Sequence, residues 1–203
     1  MQHPHRILAL ALLTAVGVSG CRIETHKKSD GKDGDVDIGT PFGSMHVKTD
    51  DQASSAQTGL AVYPGATLVK KNGDDNGAAD VSMNFGGFKI GVHAVDLQTP
   101  DPEDKVLAFY KKDMGRYGSV ITCQGKEAVG LPVRTGEGLT CGSPKNQYTF
   151  STSESDHLEL RTGSETHQHI VGLHKENGGT RIGLVALDLP SGLGHHHDAD
   201  DRE

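Results

Sequence analysis

The chain has 203 residues, enough for one domain with tails. Its formal charge is −7, and because Arg6 is the only charged side chain before Cys21, residues 21–203 carry −8. An acidic chain whose Lys/Arg runs, such as Lys27-Lys28, never exceed two residues lacks the basic face that nucleic acid demands, and lacks a basic membrane-binding patch. Hydrophobic content of 34%, aromatic content of 4% and 27 glycines leave room for a modest core and a fair share of loop.

The chain opens on MQHPHR, a short polar start with one fixed positive charge at Arg6. ILALALLTAVGV, residues 7–18, follows without a charge. A lasting transmembrane helix needs roughly 20 apolar residues, so this run is too short to span. It fits the apolar core of a secretory signal peptide over residues 1–20. Small residues and a cysteine come next: Val18-Ser19-Gly20-Cys21.

That stretch resembles the lipobox of bacterial lipoproteins, in which an aliphatic residue stands three before the cysteine and small residues fill the gap. The resemblance implies cleavage between Gly20 and Cys21, a diacylglycerol on the Cys21 thiol, and acylation (palmitate or similar) of the new amino group. Several acyl chains on one residue anchor stably, where one chain binds only marginally. The alternative is an ordinary secretory signal cut elsewhere, with Cys21 incidental. In the lipoprotein family an acidic residue after the cysteine favours inner-membrane retention. Arg22 is not acidic, which points to the outer membrane, facing the periplasm.

Two cysteines remain, Cys123 and Cys141. An exported pair predicts a disulfide. A metal pair or a redox dithiol is the alternative, but a redox pair is more often Cys-x-x-Cys, and here 17 residues intervene.

Residues 21–59 read as a tether, polar and glycine-bearing, with a short hairpin at 36–49 standing apart from the main domain. A globular domain is expected over residues 60–190. LAVYPGATLVK opens it as a strand interrupted by Pro64-Gly65. ADVSMNFGGFKIGVHAV then turns at Gly86-Gly87, a two-residue hairpin signal. Pairing across that turn sets Phe85 against Phe88, Met83 against Ile90 and Val81 against Val92, all on one face. Asp80 and His93 become opposite neighbours on the polar face.

TPDPEDKVLAFYKKDMGRYG predicts one main helix over about 102–116. Asp101 serves as N-cap, Pro102 as first helical residue, and Val106, Leu107, Tyr110, Met114 and Tyr117 form the apolar stripe. Strands resume at SVITC, GLTCG, QYTFST and LELRT. HQHIVGLHKENGGTRIGLVALDL is a second hairpin, with Val171, Leu173 and Leu184 on one face and Ile170, Val185 and Leu187 on the other. The fold class is therefore α+β: an antiparallel sheet with the helix packed on its apolar face. From about Leu60 to Pro190 the body also resembles small exported bacterial proteins of unassigned function. They share a Tyr-Pro-Gly-Ala strand, here VYPGA, and a Phe-Tyr helix, here VLAFYKKDM. That resemblance implies no catalytic residue.

For chemistry, His167 and His169 project from one face of a strand, as two zinc or copper ligands can. His195, His196 and His197 lie in an acidic tail, residues 191–203, and would chelate the same metals weakly. Residues 72–83 follow part of an EF-hand loop, with Asn72, Asp74, Asn76, Gly77 and Asp80 in place. Met83 stands where the bidentate glutamate should be, which favours a polar turn. Gly-x-Ser-x-Gly and phosphate-cradling glycine motifs are absent from the sequence. The reading is a membrane-anchored envelope lipoprotein, a non-enzymatic binding or accessory module with an envelope protein as candidate partner and no cofactor. The alternative is a metal-handling lipoprotein.

Overall fold

The computed structural model describes residues 22–27, 34–41, 43–48, 57–69, 78–142, 157–176 and 178–190. They build one antiparallel sheet. Its strands are β1 (Arg22–Lys27), β2 (Gly34–Thr40), β3 (Gly43–Lys48), β4 (Thr67–Leu68), β5 (Ala78–Phe85), β6 (Phe88–Thr99), β7 (Ile121–Gln124), β8 (Glu127–Ala128), β9 (Leu158–Gly163), β10 (His167–Glu176) and β11 (Gly179–Asp188). The order across the sheet is β1-β2-β3-β5-β6-β11-β10-β9-β7-β8, with β4 beside β6. One α-helix, α1 (Glu103–Met114), packs against β9, β10 and β11. The architecture is thus an antiparallel sheet with a single short helix, and with 56% of the described residues in strands it is sheet-dominated. No helix among the described residues is long and apolar enough to cross a membrane.

Both long hairpins form in the expected registers. Phe85 pairs with Phe88, Met83 with Ile90 and Val81 with Val92. Gly86 and Gly87 have φ of +50° and +96°, the left-handed geometry that a tight two-residue hairpin turn requires at both central positions. β10 and β11 pair from His167↔Asp188 to Glu176↔Gly179. Both are central strands, flanked by β9 and β6.

Which face the helix covers differs from expectation. Val106, Tyr110 and Met114 are fully buried against Leu160, Val171, Leu173, Ile182 and Leu184, with Val95 and Leu97 of β6 in the same core. By alternation, Val95 and Leu97 lie on the opposite face of β6 from Phe88, Ile90 and Val92. The apolar side of this twelve-residue strand switches between Val92 and Val95. The helix therefore sits on the His93 side, and the Phe85/Phe88 side faces away from it.

Asp101 does not cap the helix. Pro102 holds the N-cap position in an extended conformation without a side-chain cap bond. The Asp101 carboxylate is taken by the Tyr63 hydroxyl, which donates to Oδ2 at 2.7 Å, and by Lys105 Nζ at 3.5 Å. Glu103 and Asp104 at the first turn, and Lys111 and Lys112 at the last, still complement the helix dipole. A 3-10 turn, Gly115–Tyr117, continues the helix, and Gly118 at φ +125° ends it.

Three further segments depart from the sequence reading. Residues 22–48, read as a tether with a detached hairpin, contribute β1–β3, and β3 pairs with β5 so that they extend the main sheet. LAVYPGATLVK forms only the two-residue β4. Its Tyr63–Ala66 stretch closes a turn, with Ala66 N–H donating to Tyr63 O at 3.0 Å. The GLTCG segment makes only an isolated bridge, Arg134↔Thr140. QYTFST lies outside the described residues.

Cys123 and Cys141 form a disulfide with a Cα–Cα distance of 5.6 Å. With Ile121 and Ala128 they make a second small apolar cluster. Register places Ile121 and Cys123 beside Arg161 and Glu159, whose buried ion pair therefore shares the face away from α1.

Two stability outcomes follow. Leu184→Ala, in the middle of the helix–sheet core, lowers unfolding free energy by about 2–5 kcal/mol in urea titration. Cys141→Ser removes a cross-link between residues 18 apart and lowers stability by about 3 kcal/mol in the chain-entropy picture. Reduction of the parent chain gives the same shift, and leaves the serine variant unchanged.

Candidate functional site

The sheet offers two unlike surfaces. On the α1 side, beyond the helix, polar residues line up across strands. One row runs Asp37, His46, Ser82, Gly91, Asp188, His167. The next includes Lys48, Asp80, His93, Ala186 and His169. Three histidine–carboxylate pairs result. His46 Nδ1 meets Asp37. His93 Nδ1 lies 3.1 Å from Asp80 Oδ1, off the line of a hydrogen bond. His167 Nε2 lies 3.8 Å from Asp188 Oδ1 and is exposed. A Cβ on Gly91 would stand 3.6 Å from His93 Nε2 and 3.7 Å from Asp188 Oδ2.

The expected pair His167 and His169 shares a strand face but has separate partners. His167 Nδ1 is 3.0 Å from Thr166 Oγ1. His169 turns inward: its ring stacks on Tyr117 at 3.9 Å between centroids, and its Nδ1–H donates to Thr58 O at 3.1 Å. Arg116 and the Tyr117 hydroxyl both donate to Gly59 O, and Ala61 N–H donates to Asp113 Oδ2 at 3.0 Å. His169 is thus one of four side chains that fasten residues 58–61 to the end of α1. Among the described residues no three His, Cys, Asp or Glu side chains converge where they could share an ion. Gly20, Cys21, the histidines 195–197 and positions 72–77 of the loop resembling an EF-hand lie outside the described residues. Asp80 of that loop is in β5 paired to His93, and Met83 is on the face away from α1.

That opposite face is apolar. Register joins Val47–Val81–Val92–Leu187 in one row and Ile38–Met45–Met83–Ile90 in the next, and Ala94–Val185–Ile170 continue it. None of Val81, Met83, Ile90, Val92, Val185 or Leu187 is fully buried, and Phe85 and Phe88 at its end are exposed. The sequence pattern marks this side as apolar, so it reads as core. What reveals it as surface is the Val92-to-Val95 switch, which places the helix elsewhere.

Burial holds the His169 imidazole below its ordinary pKa, partly offset by the Thr58 carbonyl. A lowered folded pKa means the unfolded chain takes up the proton first. Stability therefore falls as pH drops through the ordinary histidine range, about 6.5, toward the folded value. His169→Gln is expected to flatten the pH dependence of the urea midpoint over that interval relative to the parent chain.

Comparison with protein-family models, with curated proteins and with solved structures finds no match to this chain.

Proposed function

We propose that this chain is a lipid-anchored protein of the bacterial envelope, an α+β domain with a dominant sheet that works as a binding or accessory module. The observation that carries the binding reading is the apolar patch on the sheet face opposite α1, where Val81, Met83, Ile90, Val92, Val185 and Leu187 are all only partly buried, flanked by the Asp96–Arg181 ion pair. Exposed contiguous apolar surface marks interaction sites in soluble domains. The anchor rests on the uncharged run at residues 7–18 followed by Val18-Ser19-Gly20-Cys21, which resembles a lipobox. The Cys123–Cys141 bond supports an oxidising compartment. Arg22 after the cysteine favours the outer membrane, with the domain in the periplasm.

Intact mass of the protein extracted from membranes of a bacterial host tests the reading. The expected species starts at Cys21, carries acyl chains, and yields two thiols only after reduction. Cys21→Ser is expected to abolish acylation and leave the chain out of the lipid-modified membrane fraction. A wild-type mass without lipid overturns the proposal.

A further inference from the structure

The described sheet starts at Arg22, the residue next to Cys21, and this sets how an anchored domain can stand. β1 begins without a spacer. One residue of chain reaches less than about 4 Å, so a lipid on Cys21 brings this end of the sheet to the bilayer. Following the register from Arg22 identifies what lies level with it: Gly39, Ser44, Asn84 and Lys89. The next row outward, one step further toward the N-terminus, is Thr40, Gly43, Phe85 and Phe88. The β5–β6 turn extends beyond even that row. It lies between three and four strand spacings from β1, about 14–19 Å away.

The tip is built for an apolar, fluid surface. Phe85 and Phe88 are 45% and 58% exposed, next to the two turn glycines. The Phe85 ring lies over Gly43, where a Cβ would come within 2.5 Å of its Cδ1, so the ring is seated rather than loose. The two charged residues of the Arg22 row are both cations in a chain that is acidic overall: Lys89, next to Phe88, and Arg22, whose guanidinium also pairs with Glu24. Aromatic rings with flanking cations suit the interfacial layer of an anionic bilayer.

We infer that the β5–β6 tip, through Phe85 and Phe88, rests in the interfacial layer of the bilayer that holds the anchor, and so orients the domain with its sheet standing off the membrane. The inference rests on the lipid-anchor reading above and deepens it. Anchoring then has two signals, acyl chains and an apolar tip, and the tip fixes orientation where acyl chains alone leave the domain free to swing.

The chain contains no tryptophan, so Phe88→Trp gives a single depth probe. Lys48→Trp, near the opposite end of β3, gives the control. Each full-length acylated variant is reconstituted into phosphatidylethanolamine/phosphatidylglycerol vesicles with brominated acyl chains. The expected result is blue-shifted emission at position 88, quenched several-fold more strongly than at position 48. Equal quenching at both positions in an acylated chain overturns the orientation and leaves the anchor standing. Blue-shifted but unquenched emission at position 88 means that protein, such as a second copy of the chain, covers the tip, and also overturns it. A chain whose mass carries no acyl group sinks the anchor reading and the orientation together.

Discussion

A helix of twelve residues has to seal one face of a sheet in which ten strands follow one another. An α-helix is about 10–12 Å across with its side chains, and strands lie about 4.8 Å apart, so α1 can cover two or three of them. It covers β9, β10 and β11, and Val106, Tyr110 and Met114 are fully buried there. Everything else about the molecule adapts to that shortage. Leu60 and Tyr63 extend the cover toward β6, and His169, Arg116, Tyr117 and Asp113 pin their segment in place. Beyond the reach of this lid the sheet turns polar on the α1 side, with aspartate and histidine facing each other across strands.

The reverse face has no helix among the described residues. The disulfide-linked cluster of Ile121, Cys123 and Cys141 lies at one side of it, together with the buried Glu159–Arg161 pair. A buried ion pair is tolerated where both partners are hydrogen-bonded, and Arg161 Nε donates to Glu159 at 2.9 Å. Across β5, β6 and β11 the valines, isoleucine and methionine remain half exposed. That asymmetry, a sealed core on one side and an open apolar plane on the other, is the physical ground for reading the domain as a module that docks against something.

Much of this was legible where the information is local. The β5–β6 register follows from alternation around Gly86-Gly87, and the Asp80–His93 contact follows from that register. The β10–β11 hairpin is legible for the same reason. The failures are all non-local. Asp101 looks like a cap until Tyr63, 38 residues away, claims its carboxylate. His169 looks like a strand-end side chain until its ring stacks on Tyr117 and Thr58, 111 residues away, accepts a hydrogen bond from its Nδ1–H. Val36, Ile38, Met45 and Val47 announce strands, but nothing in their pattern says that β3 will pair with β5. The face taken by α1 depends on a single change of alternation between Val92 and Val95, which a reading of the hairpin alone passes over.

The sheet order also has a kinetic side. Neighbouring strands β2–β3, β5–β6 and β10–β11 are joined by short turns and can zip locally. The β6–β11 seam instead joins Gly91 to Asp188 and Thr99 to Thr180. Among the strand pairings, closing such a loop carries the largest chain-entropy penalty, and α1, β7 and β9 all lie inside it. The two halves of the sheet thus meet along a single non-local strand pairing. Until that seam closes, β6 and β11 each present an open edge, and the chain's exposure to mispairing is concentrated in those two strands.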